Sequence, residues 1–310
     1  MARISSRKSG TSFSRLAVAT MACALLGVSA GAASADSVYW GHQPATTKHG
    51  PTARNFAAAA ATPTNAANPV FPLIGVDRAN LVWVYGPNGA GGLTPREATD
   101  GTFPALANDA FVDNDADGYL DGEWQWSTGG NLDFYANSNV PKPISGGWNI
   151  YDKVLAPGNL GGAPGYDIVA RDKTGVLWLY LGYGDGTVTS RIKVGGGWNV
   201  YTQLAGKGDL DGDGRADIVA RDTAGVLWFY KGTGNYKAPF APRTRIGSGW
   251  NMFDALVSSG DVDLDGKTDL IAREPGGNLW LYKGTGNAAA PYRTRVQIGW
   301  SYNIYRLMAS

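Results

Sequence analysis

Leu227-Trp228-Phe229-Tyr230 decides how this chain is read, because the same apolar-aromatic segment is written five times. The other copies are Val82-Trp83-Val84-Tyr85, Leu132-Asp133-Phe134-Tyr135, Leu177-Trp178-Leu179-Tyr180 and Leu279-Trp280-Leu281-Tyr282, and their final tyrosines are 50, 45, 50 and 52 residues apart. A second marker, Gly-Trp-Asn, recurs at Gly147-Trp148-Asn149, Gly197-Trp198-Asn199 and Gly249-Trp250-Asn251, and in altered form at Gly299-Trp300-Ser301. Periods of about 40 to 50 residues with strand-like content are the signature of a β-propeller, one repeat per blade.

Outward from Leu227, the repeat reads as four short strands. They lie around Trp198 to Leu204, Ile218 to Arg221, Val226 to Tyr230 and Arg243 to Ile246, with an acidic loop after the first. Four strands joined by turns make one blade. The two ends of the chain complement each other. Trp300 to Ser310 matches Trp198 to Gly208 and stops where an acidic loop would begin, and the first copy starts near Phe71, past that loop. Closing the ring with strands from both termini removes the exposed sheet edges. The expectation is an all-β, five-bladed propeller over residues 71–310, its first blade made from residues 71 to about 105 plus 299–310. Six blades, with the preceding segment contributing, is the alternative.

The first seventy residues are of another kind. Arg3, Arg7 and Lys8 precede an apolar, small-residue stretch from Leu16 to Ala32, and Ala33-Ser34-Ala35 forms an A-x-A cleavage site. Residues 1–35 read as a secretory signal peptide rather than a membrane span, so the protein is expected outside the cell. The only cysteine, Cys23, lies in that leader, so a disulfide-permissive compartment would meet a mature chain with no disulfides. Cleavage removes four basic residues and no acidic one, moving the formal net charge from +1 to −3. With no basic run, nucleic acid is not an expected partner. Residues 36–70, rich in Ala, Thr, Pro and Asn, read as a linker or arm, and hold both histidines, His42 and His49.

Three repeats carry the same acidic loop: Asp113, Asp115, Asp117 and Asp121; Asp209, Asp211, Asp213 and Asp217; Asp261, Asp263, Asp265 and Asp269. In each, carboxylates stand at positions 1, 3, 5 and 9, with glycine at 6. Ca²⁺ takes six to eight oxygens, and alternating aspartates on a tight turn converge theirs on one point. The position-7 carbonyl of Tyr119, Arg215 or Lys267 would add another. An EF-hand ends in glutamate at position 12 between helices; here that position is Trp124, Ala220 or Ala272 and strand sequence follows. Blade three keeps only Asn159 and Asp167 of this pattern, so three Ca²⁺ ions are expected, as structural staples.

The pattern from Asp209 to Val219 and from Asp261 to Ile271 resembles the FG-GAP/VCBS repeat family, propellers with Ca²⁺ in hairpin loops. Repeats with Leu-Trp-x-Tyr and Gly-Trp-Asn are also similar to five-bladed tachylectin-type and fungal propeller lectins. This resemblance implies a calcium-binding blade and says little about function.

The leading functional reading is non-catalytic carbohydrate binding by a monomer at a glycan or cell-surface polysaccharide. The candidate contacts are Trp148, Trp198, Trp250 and Trp300 with Asn149, Asn199, Asn251 and Asn303. Packing between blades is the competing role for these tryptophans. A protein-binding or adhesion scaffold is the second reading. An enzyme is disfavoured because the repeats lack histidine and cysteine, and only Glu97, Glu123 and Glu274 supply glutamates.

Overall fold

The computed structural model describes residues 68–136, 140–162 and 165–310. The expected signal peptide with Cys23, both histidines and residues 36–67 of the expected arm lie outside them. The described residues form five four-stranded antiparallel sheets, each a blade. Blade 1 comprises β1 (Leu73–Asp77), β2 (Leu81–Tyr85) and β3 (Glu97–Thr102). Blade 2 comprises β4 (Leu106–Val112), β5 (Gly122–Ser127), β6 (Leu132–Ala136) and β7 (Lys142–Ser145). Blade 3 follows as β8 (Tyr151–Gly158), β9 (Asp167–Asp172), β10 (Leu177–Tyr180) and β11 (Ile192–Gly195). Blade 4 is β12 (Tyr201–Ala205), β13 (Ile218–Asp222), β14 (Leu227–Tyr230) and β15 (Thr244–Gly247). Blade 5 is β16 (Ala255–Val257), β17 (Leu270–Arg273), β18 (Leu279–Tyr282) and β19 (Val296–Gly299).

The last strand, β20 (Tyr305–Ala309), pairs antiparallel with β1 and becomes the innermost strand of blade 1. The first strand of each sheet, β20, β4, β8, β12 and β16, packs beside the next around the ring, and β16 meets β20 to close it. Both termini therefore build one blade, as the partial repeats required.

The aromatic strand is buried because blades cover it from both sides. Leu177, Leu179, Leu227, Phe229, Leu279 and Leu281 are sealed on one face. On the other face Trp83, Trp178, Trp228 and Trp280 are half-buried, each under a guanidinium, from Arg96, Arg191, Arg243 and Arg295, at 4.0 to 4.1 Å. The indole N–H groups of Trp83, Trp178 and Trp228 donate to Asp77, Asp172 and Asp222, whose other carboxylate oxygen caps the following turn.

The recurring arginines clasp neighbouring blades. Arg171 donates to the carbonyls of Trp198 and Tyr201, Arg221 to those of Trp250 and Phe253, and Arg273 to those of Tyr302 and Tyr305. Between blades 1 and 2 the role passes to Arg306, which donates to the carbonyls of Leu106 and Phe103. Blades 2 and 3 use a tryptophan pair instead, Trp126 against Trp148.

Two readings of the sequence need correction. Trp198 does not begin a strand: Trp148, Trp198 and Trp250 each open a single 3-10 turn, capped by a left-handed glycine (φ 83 to 90°). The fourth turn starts two residues later than Gly299-Trp300 suggested. Ser301 takes the left-handed position (φ 66°) and Tyr302 fills the buried place, leaving Trp300 in solvent, 76% exposed.

Candidate metal loops and inter-blade crevices

Each acidic loop joins the innermost strand of its blade to the second, in blades 2, 4 and 5. The turn is drawn by its own backbone. The N–H groups of Gly118, Gly214 and Gly266 donate to the first aspartate of each loop, Asp113, Asp209 and Asp261, at 2.9, 2.6 and 2.7 Å. These glycines hold φ of 83 to 89°, where a side chain is strained, which is why position 6 is glycine three times. Position 4 is also left-handed, at Ala116, Gly212 and Leu264.

The turns bring carboxylate oxygens of Asp113, Asp115 and Asp121 within 4.8 Å of one another, and do the same for Asp209, Asp211 and Asp217 and for Asp261, Asp263 and Asp265. Burial pushes Asp113 and Asp217 up to about 8, Asp269 to about 7 and Asp121 to about 6, with the neighbouring carboxylates adding to each shift. Asp209 and Asp261 rise for the same reasons. Oxygen-only donors that repel one another in a buried turn fit a hard cation, which would supply the missing positive charge. Asp117 accepts the N–H of Tyr119, and Asp213 that of Arg215; Lys267 reaches Asp265 through its ammonium.

Position 9 has a second task. Asp217 accepts N–H bonds from Leu210 and Gly232, and Asp269 from Val262 and Gly284. Asp167, in the blade without the other carboxylates, makes the same pair of braces, to Leu160 and Gly182. The last aspartate thus shapes the loop whether or not the rest of the pattern is present. Lys231 and Lys283, absent from the sequence reading, reach the position-3 carboxylates Asp211 and Asp263 at 2.5 and 2.8 Å. The residue following the aromatic strand is Ala136 beside the Asp113 loop and Leu181 in blade 3.

A short segment before Phe71 ties the loops together. Asn68 accepts from the N–H of Asp209 and donates to the carbonyl of Gly266, and Val70 donates to the carbonyl of Gly118. Residues 68–70, the end of the expected arm, dock on all three acidic loops.

The candidate tryptophans sit elsewhere, in crevices between blades. Trp148 packs on Tyr180 at 4.7 Å and on Tyr151, Trp198 on Tyr230 at 4.6 Å, and Trp250 on Tyr282 at 4.5 Å. All three indoles are buried. Tyr302 takes the equivalent place against Tyr85. Asn149, Asn199, Asn251 and Asn303 are exposed and lie against Gly130, Gly175, Gly225 and Gly277, turn glycines with no room for a side chain. Between blades 2 and 3 a crevice of about 330 Å³ remains, lined by Trp148, Tyr151, Tyr180 and Val188.

Residues 209–272, which hold the Asp209 and Asp261 loops, match the FG-GAP-like repeat family. The chain is a five-bladed β-propeller that carries FG-GAP-like repeat sequence in blades 4 and 5. No curated protein sequence matches it. Solved structures similar to the propeller include PorZ, a surface component of the type-IX secretion system of Porphyromonas gingivalis. It shows 15% identity over 69% of this chain and 25% of that one, with a TM-score of 0.37. BBS1N in complex with ARL6DN shows 12% identity over 74% and 66% of the two chains, TM-score 0.38. Human WBSCR16 shows 12% over 74% and 65%, TM-score 0.35. The propeller thus spans a quarter of the PorZ chain and about two thirds of the other two.

The propeller also buries a charged cluster that its repeats do not announce. Asp109 and Glu123, on one face of blade 2, are nearly sealed from solvent, and burial raises both above the ordinary carboxylate range. Lys207, equally buried, donates to the carbonyl of Phe111 and lies beside the Phe71 and Tyr166 rings, with its ammonium held well below the usual lysine range by burial. Both oxygens of Asp109 and one of Glu123 have no hydrogen-bond partner. Among the described residues the cluster occurs once in the ring, so periodicity could not reveal it.

Proposed function

We propose that the protein is an exported, calcium-stabilised scaffold that binds a partner protein without catalysis. The observation that carries this is the use of its repeated side chains. The repeated arginines, tryptophans and position-9 aspartates hold the blades and loops, while an aromatic crevice between blades 2 and 3 stays open. The three aspartate groups support calcium as the staple of a chain whose single cysteine lies in its leader. The leader and its cleavage motif support export. Asp109 and Glu123, the carboxylate pair outside the loops, are sealed rather than placed at a cleft, which supports a non-catalytic role.

A second reading, carbohydrate binding, is favoured by Trp300, which offers its face to solvent near Asn303. Peptide and glycan arrays probed with the protein in Ca²⁺ and in chelator test both. Retained peptides support the scaffold. Retained glycans whose binding is lost in Trp300→Ala support the carbohydrate reading instead. Cleaved products from any ligand overturn the non-catalytic role.

A further inference from the structure

The inter-blade crevices share a design but not a filling. In two of them the chain supplies its own plug. The Phe240 ring lies 6.0 Å from Trp198 and 5.9 Å from Tyr230, and the Tyr292 ring lies 6.5 Å from Trp250 and 6.2 Å from Tyr282. Both rings are set by the same device, an isolated bridge from Gly232 to Phe240 and from Gly284 to Tyr292. The matching bridge beside blade 2 joins Gly182 to Val188, across a loop two residues shorter. Valine brings no ring, and the crevice of about 330 Å³ over Trp148, Tyr151 and Tyr180 is what remains.

We propose that this crevice takes one aromatic side chain, phenylalanine or tyrosine, from the partner protein, in the place that Phe240 and Tyr292 hold in the neighbouring crevices. The inference rests on the scaffold reading and gives it a contact. Aromatic rings pack edge-to-face or offset at these separations, and Trp148 and Tyr180 form the same floor as Trp198 and Tyr230. The polar atoms of the aromatic floor, on Trp148, Tyr151 and Tyr180, already have partners. Tyr151 and Tyr180 share a hydroxyl bond of 2.5 Å, the Trp148 indole N–H donates to Ser145 at 2.8 Å, and the Thr189 hydroxyl accepts the N–H of Leu181. The lining holds no carboxylate or ammonium, and Arg191 at the rim stacks on Trp178 while reaching the Tyr151 hydroxyl. A sugar needs free polar groups for its hydroxyls, whereas a planar apolar ring needs none.

The test titrates the protein with N-acetyl-tyrosinamide, N-acetyl-leucinamide and methyl glucoside, observing tryptophan indole N–H signals by NMR. The tyrosine probe should shift the Trp148 signal saturably, and the other two should not. Val188→Phe should remove the response by supplying the missing ring. Phe240→Val should create a second responsive site at Trp198, raising the stoichiometry from one to two. Melting curves confirm that both variants are folded. No saturable shift with the tyrosine probe, a preference for the glucoside, or a response unchanged in Val188→Phe overturns the proposal. The two failures are separable. Peptides retained on the array regardless of Val188→Phe overturn this site and leave the scaffold standing. A blank array overturns the scaffold reading, whatever the probe does at Trp148.

Discussion

Chelating the metal and raising the pH from about 5 to about 7 should lower the melting temperature, and the buried carboxylates of the loops set the size of the effect. Burial holds Asp217 near 8 in the metal-free fold, against 3.8 for a free side chain. Across that window the unfolded chain carries the ionised form and the fold the protonated one, so unfolding releases a proton. Stability from a raised carboxylate pKa is fully present below the unfolded value and is lost as pH climbs toward the folded one. Each pH unit costs about 1.4 kcal/mol per group, so Asp217 alone removes about 2.7 kcal/mol over two units. For a domain of this size that is about 5–10 °C. Asp113, also near 8, adds in the same direction, and Asp109 adds a part that no metal restores. Asp172, held low by hydrogen bonds from Thr174 and Trp178, and Asp222, held low by one from Trp228, are ionised throughout and contribute no slope. Calcium bound in the loops would stabilise their ionised carboxylates and reverse the penalty. Scanning calorimetry in Ca²⁺ and in chelator should show a gap between the two melting temperatures that widens with pH. A gap that stays constant or narrows would mean that the buried loop carboxylates are not what the metal neutralises.

Other consequences follow from single contacts. Arg221→Ala should cost about 2–4 kcal/mol in chemical denaturation, because it strips two carbonyls of the next blade of a buried donor, while Arg215→Ala, on the surface, should cost about 0.5 kcal/mol or less. Gly232→Ala should be strongly destabilising, since a Cβ there would lie 2.0 Å from the Ala216 carbonyl oxygen, whereas Gly195→Ala meets nothing within 4 Å and should be near neutral. Asn68→Ala should cost about 1–2 kcal/mol and loosen the Asp209 and Asp261 loops together, read as weaker calcium affinity at both by calorimetric titration.

Much of this architecture was legible because repetition writes the same physical demand several times. The Leu-Trp-x-Tyr strands and the two partial repeats led to five blades and a ring closed by β20 beside β1. The loops were legible for the same reason: glycine at position 6 and converging carboxylates at 1 and 3, joined by position 9 in two loops and by position 5 in the third, are one local geometry drawn within nine residues. What escaped was non-local or unique to one blade. Ser301 displaced the fourth turn by two residues, and no periodic pattern distinguishes Trp300 from Tyr302 as the buried ring. Asn68 looks like linker until its partners, Asp209 and Gly266, arrive from distant sequence. Asp109, Glu123 and Lys207 converge in one place only. The open crevice depends on Val188 standing where Phe240 and Tyr292 stand, behind a shorter loop whose register the strands alone settle.

Three aspartate loops that each held a calcium ion would stiffen a propeller without disulfides. Native mass spectrometry of the protein titrated with Ca²⁺ tests this most directly. Three bound ions, falling to two in Asp209→Asn with a lower melting temperature, is the expected result. No specifically bound ion, or three ions undisturbed in Asp209→Asn, would contradict it.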